Sequence, residues 1–208
     1  MTDVILLAAG NSRRFFAGTE KKNKLLSLFR GRPLYTYGLD AWKQGSRKKN
    51  CRVFVVARER EILEAAAERG FVPVESPESE KGISWSIRAG LQAVGEGGDH
   101  LVFGAADQPF LRPETLERFL TEAEKRRYAC LSWKGELFNP VSFPREAARE
   151  LGELKGDEGG KKVLRRHLEE CFLVEASSEA ETADVDTWED LKILEEFDAI
   201  YQPDHTDL

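Results

Sequence analysis

The feature that most constrains this chain is a series of short, unbroken apolar runs separated by helical patterns. Val4-Ile5-Leu6-Leu7-Ala8, Arg52-Val53-Phe54-Val55-Val56-Ala57, Phe71-Val72-Pro73-Val74 and His100-Leu101-Val102-Phe103-Gly104-Ala105 all lack polar alternation. Each therefore reads as a strand buried on both faces. Pro73 places the third run near a sheet edge, because proline cannot donate to a ladder. Between the runs, Pro33 is suited to open a helix that buries Leu34, Tyr37, Ala41 and Trp42. Residues 59–69 read as a charged helix stopped by Gly70, Ser84 as the N-cap of a third helix, and Pro113 as the start of a fourth. Strand and helix alternate through residue 126, which implies parallel strands joined by crossovers. The fold class expected is α/β: a single doubly wound, mostly parallel sheet flanked by helices.

From Tyr128 the pattern changes. Tyr128–Trp133 and Val141–Phe143 flank the turn Lys134-Gly135-Glu136, which predicts a small β-hairpin insertion in the C-terminal half. The glycine-rich loop Gly156-Asp157-Glu158-Gly159-Gly160 precedes a helix, and Cys171–Ala176 is a last strand candidate. Thr187-Trp188-Glu189-Asp190 resembles a capping box for a final helix, with Asp in place of Glu. The expected organisation is one domain over residues 1–200, with its halves meeting at 126 and 127, and a flexible tail over 201–208.

Charge is unevenly distributed. Residues 4–32 carry Arg13, Arg14, Lys21, Lys22, Lys24, Arg30 and Arg32 against Glu20, a balance of +6 in a chain of net charge −6. The other residues therefore sum to −12. A basic loop that leaves a buried strand through Ala9-Gly10 is a phosphate-site pattern. Because the positive charge is local, nucleic acid is not an expected partner. No apolar run approaches the ~20 residues of a membrane span, and the first residues carry an acid where a secretory signal carries bases. A cytoplasmic protein with no membrane partner is expected. Cys51, Cys130 and Cys171 are widely spaced without a CxxC pair, so they read as buried free thiols in a reducing compartment. His100, His167 and His205 show no partner spacing.

Common nucleotide and hydrolase motifs are absent: there is no GxxxxGK[ST], GxGxxG or HExxH, and Gly82-Ile83-Ser84-Trp85-Ser86 lacks the second glycine of a nucleophile elbow. Strand ends remain. Ligands of open parallel sheets bind outside the carboxyl ends of the strands. The first strand ends in Ala9-Gly10 and the basic loop, and the fourth ends in Asp107. Cations for phosphates and a carboxylate for a divalent metal are what phosphoryl transfer requires, and Asp186 offers a second carboxylate.

These residues resemble a known family. LLAAGNSRR followed by Asn23-Lys24-Leu25-Leu26 resembles the opening signature of nucleotidyltransferases with a molybdopterin-guanylyltransferase-like fold. KGISWSIRAG, AADQP, NPVSF, GDEGG and DVDTWEDL then follow in the order seen in molybdenum cofactor cytidylyltransferases, so the resemblance runs from Val4 to about Leu194. Two departures stand out: Phe16 occupies an expected glycine, before a lengthened loop to Asn23-Lys24, and Phe138 stands where glycine commonly precedes the Asn-Pro pair.

The resemblance implies roles. Leu7, Ala8, Ala9, Gly10, Ser12, Arg14, Lys24, Ser84, Ser86 and Asp107 are the expected nucleotide-binding residues, and Asn139, Pro140 and Asp157 the acceptor-binding ones. Arg14, Lys24 and Asp107 are the expected catalytic residues, with Asp107 and Asp186 as ligands of Mg2+ or Mn2+. Residues 1–126 become a nucleotide-binding half and 127–200 an acceptor-side half. The implied reaction moves a nucleoside monophosphate, CMP from CTP or another NTP, onto the phosphate of a pterin cofactor of the molybdopterin type. A molybdoenzyme recipient is then an expected partner. Other readings stay open: a different phosphorylated acceptor such as a sugar phosphate, a nucleotide-sugar glycosyltransferase using Asp184-Val185-Asp186, and a non-catalytic nucleotide- or cofactor-binding chaperone.

Overall fold

The computed structural model describes residues 1–10, 23–185, 187, 189–190 and 192. Seven strands form one sheet: β1 (Thr2–Leu7), β2 (Cys51–Ala57), β3 (Val72–Glu75), β4 (His100–Ala105), β5 (Tyr128–Trp133), β6 (Glu136–Pro144) and β7 (Cys171–Glu175). Their order is β3-β2-β1-β4-β6-β5-β7. All neighbours pair parallel except β6, which runs antiparallel to both β4 and β5. The α/β reading of the sequence is therefore met, and the Pro73 strand does lie at an edge.

The helices are α1 (Leu34–Gly45), α2 (Arg60–Glu68), α3 (Ile83–Val94), α4 (Pro113–Ala123), α5 (Ala148–Gly152) and α6 (Gly160–Leu164). The period-two geometry of β1 sends Val4 and Leu6 to one face, against α1, α2 and α4, and Ile5 to the other, against α3, α5 and α6. Both faces are thus covered, which is why the central runs contain no polar alternation. Close approach at β4 requires a glycine: a Cβ at Gly104 would sit 2.6 Å from the ring of Trp42, which is fully buried on α1.

Several local expectations need correction. Pro33 does not begin α1; it still pairs with Leu28 in a two-residue ribbon, and the helix starts at Leu34. Ser84 is not an N-cap. Gly82 (φ 127°) holds that position, so Ser84 falls inside the first turn and is fully buried. The hairpin turn is Lys134-Gly135, both at positive φ, and β6 begins at Glu136 and runs longer than its apolar part suggested. Of the cysteines only Cys130 is buried; Cys51 and Cys171 are half-buried, and all three are free. The capping box is present: the Thr187 amide donates to Asp190 at 2.6 Å and the Asp190 amide to the Thr187 hydroxyl at 3.0 Å. Residues 11–22 and 193–208, including the expected tail, lie outside the described residues. Among the described residues no helix is long and apolar enough to cross a membrane.

Candidate active site at the strand ends

The strand order reverses at β1, since β2 follows on one side and β4 lies on the other. Registers bring the carboxyl ends level: Leu7 pairs with Val56 and with Ala105. The ladder continues past the strands, with the Ala8 amide donating to the Val56 carbonyl at 2.8 Å and the Ala106 amide to the Leu7 carbonyl at 3.1 Å. Asp107 is thereby set just beyond β4, beside the chain that leaves β1. Such a switch point is where an open α/β sheet provides a crevice, and a cleft of about 860 Å3 opens there.

Asn23 anchors the segment that carries Lys24. Its side-chain amide donates to Glu59 at 2.8 Å and to the Ala8 carbonyl at 3.5 Å, while its oxygen accepts from the Leu25 amide at 3.0 Å. Lys24 follows, 6 % exposed, with its Nζ 2.7 Å from the Asp107 carboxylate. A cation withdrawn this far from water needs a charged partner, and Asp107 supplies one across the sheet. The C-terminal segment returns to the same point. The Val185 amide donates to the Asp107 carbonyl at 3.1 Å, which brings Asp184 into the cleft lining.

The opposite wall comes from β6 and α6. The β5–β6 register skips Asn139 and Pro140, so these two residues form a bulge where β6 passes the end of β4. A bulge re-aims side chains, and here Asn139 faces the cleft while its carbonyl accepts from Gln108 at 3.3 Å. The 156–160 loop docks on α3: the Ser84 amide donates to the Gly156 carbonyl at 3.0 Å. A Cβ at Gly82 would overlap that carbonyl group. From this loop Asp157 and Glu158 reach the cleft, as do Lys161 and Lys162 of α6 and Arg165 just beyond it.

Of the residues selected from sequence, Leu7, Ala9, Gly10, Lys24, Ser86, Asp107, Asn139 and Asp157 line this one cleft. Ala8, Ser84 and Pro140 do not line it: Ala8 packs into the core and spends its backbone in the ladder, and the Ser84 hydroxyl is buried without a partner. Ser12, Arg14 and Asp186 lie outside the described residues. Sequence reading gives no role to Asn23 and Gln108, which hold Lys24 and Asn139, or to Lys161 and Arg165, and it names Asp184 only for the glycosyltransferase alternative. Asn23 stands inside the quoted signature, and Lys161 and Arg165 have the i, i+4 spacing of one helical face.

The residues fit a hard divalent cation. Asp107 and Asp184 both line the cleft, carboxylates are the donors Mg2+ or Mn2+ prefer, and Mg2+ needs only one or two of them. Among the described residues no cluster of three His, Cys, Asp or Glu groups is arranged for a metal, so a softer, fully protein-ligated site does not fit.

Residues 4–171 match the family described as MobA-like NTP transferase domain. The chain belongs to this family. Purine catabolism protein PucB from Bacillus subtilis is 28% identical over 204 residues, 91% of this chain and 94% of that protein. Bifunctional protein GlmU from Syntrophotalea carbinolica is 30% identical over 154 residues, 73% of this chain but 32% of that protein. The chain thus spans less than half the length of the GlmU relatives it matches. Among solved structures, Rv0371c from Mycobacterium tuberculosis H37Rv superposes with a TM-score of 0.73 at 24% identity, over 94% of this chain and 97% of that one. The same protein is also solved in complex with manganese. At this identity the likeness shows the shared fold.

Proposed function

We propose that this chain transfers a nucleoside monophosphate from an NTP to a phosphorylated acceptor, with CTP as donor and a molybdopterin-type pterin as acceptor. The observation that carries the reading is the Lys24–Asp107 ion pair, closed at 2.7 Å across the carboxyl ends of β1 and β4 inside the cleft. In this reaction an oxygen of the acceptor's phosphate attacks the α-phosphorus. The bond from α-phosphorus to the bridging oxygen breaks, and pyrophosphate departs with the electron pair. A phosphomonoester is already ionised near neutral pH, so no strong base is required; orientation and charge neutralisation are the main tasks.

The chain's residues divide those tasks. Ala9 and Gly10 offer main chain and little bulk at the end of β1, where a base and sugar can approach closely. Lys24 and Arg14 offset charge gathering on the departing phosphates. Asp107 and Asp186 are the proposed holders of Mg2+ or Mn2+, with Asp184 beside them; the manganese complex of the Rv0371c relative supports that choice. When bound, the metal supplies a Lewis acid that neutralises the α-phosphate and orients the triphosphate. Ser86, Asn139 and Asp157 line the remainder of the cleft, the last two on the side proposed for the acceptor. Three free cysteines suit a reducing compartment, and we place the protein in the cytoplasm, with a molybdoenzyme as the eventual recipient.

A pyrophosphate-release panel tests this reading: four NTPs against molybdopterin, molybdenum cofactor and simple sugar phosphates, with and without Mg2+. Release with CTP and the pterin phosphate is the expected result. Activity with GTP alone would overturn the cytidylyl assignment, and activity with sugar phosphates alone would overturn the pterin.

A further inference from the structure

The β6 side of the cleft carries cations outside the machinery assigned above. Lys161 on α6 and Arg165 at its C-terminal end both line the cleft, four residues apart and therefore on one helical face. Lys162 between them is engaged in an ion pair with Glu158. Neither Lys161 nor Arg165 has a carboxylate partner among the described residues. Other surface cations of this chain of net charge −6, such as Arg60, Lys125, Arg127 and Arg149, are each paired with an acid. Lys161 is instead positioned by an aromatic ring: its Nζ lies 5.4 Å from the centroid of Phe138, one residue before the β6 bulge.

The chemistry of the pair suits a phosphate. An ammonium supplies a compact charge, and a guanidinium supplies a fork that matches two phosphate oxygens. A phosphate dianion approaching a triphosphate also meets strong repulsion unless cations stand beside its path. Lys24 stands on the β1 wall, where the nucleotide's phosphates are proposed to lie; Lys161 and Arg165 stand on the wall built from β6 and α6.

We propose that Lys161 and Arg165 form the subsite for the acceptor's phosphomonoester, with Phe138 as a positioning residue for Lys161. The chain would then select acceptors by a dianionic phosphate and exclude neutral hydroxyl acceptors. This rests on the nucleotidyl-transfer reading, and the step balances as written there: one oxygen of the held phosphate forms the bond to α-phosphorus while pyrophosphate leaves, and no proton need be removed.

The test uses the full chain with CTP, Mg2+ and molybdopterin as the varied acceptor. Lys161→Ala and Arg165→Ala should each raise the acceptor KM about 10-fold, and the double variant about 100-fold, as loss of charge-assisted contacts implies. The KM for CTP should stay within about twofold, and Lys161→Arg should restore most of the acceptor affinity. Phe138→Leu should raise the acceptor KM about threefold, yet add nothing in the Lys161→Ala background, which a merely structural role would not produce. An unchanged acceptor KM, or an equal rise in the CTP KM, overturns the subsite. If the wild-type chain releases no pyrophosphate with any phosphomonoester, the transfer reading fails, and calorimetric titration with inorganic phosphate then decides the subsite alone. Weaker phosphate binding by the double variant supports it, and equal binding overturns it.

Discussion

The two walls of the cleft are built by different means. On the β1 wall the parts are strand ends, main chain, and a lysine that is 6 % exposed and locked to Asp107 at 2.7 Å. On the β6 wall they are an antiparallel strand, a bulge at Asn139-Pro140, a glycine-rich loop and the exposed cation Arg165. The first wall inherits its precision from the sheet, since Ala8 and Ala106 continue the ladder on either side of Leu7. The second depends on contacts between surface segments, chiefly Gly82 against Gly156 and Gln108 with Asn139. On the proposed reading, a chemical core fixed by the sheet beside a recognition surface fixed by loops would let one reaction serve different acceptors.

The largest effects should come from the β1 wall. Asp107→Ala is expected to lower Mg2+-dependent pyrophosphate release by on the order of 10³-fold, the scale of losing a metal-holding or electrostatic group at a reacting phosphate. Near-wild-type release from this variant would remove Asp107 from the mechanism. Lys24→Ala should cost about 10²-fold in kcat and change the KM for CTP less, if the ammonium acts mainly on charge that develops as pyrophosphate leaves. The pair also makes a stability prediction. Asp107→Ala removes the carboxylate 2.7 Å from the buried Lys24 ammonium, so its loss in chemical denaturation should exceed that of the Lys24→Ala, Asp107→Ala double variant. Denaturation that is simply additive would mean that Lys24 finds adequate compensation elsewhere.

This contrast also decides how much could be read from sequence. Buried parallel strands announce themselves as unbroken apolar runs, and a cleft at their carboxyl ends follows from topology; hence Leu7, Ala9, Gly10, Lys24 and Asp107 were legible and do meet. Ser84 was misjudged because a serine near a helix start signals a cap only when no glycine before it is required by packing, and Gly82 is required by Gly156. The length of β6 was hidden for a similar reason: Asn139 and Pro140 look like strand breakers, whereas a bulge accommodates them. Lys161 and Arg165 were invisible as a pair because a five-residue helix is too short for periodicity to stand out, and their shared face emerges only once β6 supplies the wall beneath them.

The joint between the walls offers the next largest effect. Gly82→Ala forces a side chain into the Gly156 carbonyl and onto a positive φ of 127° that alanine rarely adopts. A loss of about 3 kcal/mol is expected, lowering Tm by roughly 6–12 °C for a chain of this size. Because the 156–160 loop would be displaced from α3, the acceptor KM should rise while the CTP KM changes little. Equal deterioration of both would show that the loop supports the nucleotide wall as well, and the division between the walls would need redrawing.

The smallest effect concerns the cysteines, and it tests whether the β6 side contains thiol chemistry as well as cations. Cys130 on β5 and Cys171 on β7 sit beyond β6, one buried and one half-buried. Burial pushes the Cys130 thiol up to about 12 and the Cys171 thiol up to about 11. Cys51 is raised too, again chiefly by burial. A nucleophilic cysteine requires the opposite shift, since the thiolate is the reactive form. At pH 8 the thiolate fractions of Cys130 and Cys171 are about 10⁻⁴ and 10⁻³, set by the distance between pH and pKa. Iodoacetamide at pH 8 should therefore alkylate the native chain far more slowly than the unfolded chain, and pyrophosphate release should remain within about twofold of the untreated value. Cys130→Ala should likewise retain turnover, with a modest loss of stability from the vacated core volume. Inactivation that kept pace with modification of Cys130 would place a thiol in the mechanism. Protection together with full turnover would leave the difference between the walls where the charges put it: Lys24 and Asp107 on one side, Lys161 and Arg165 on the other.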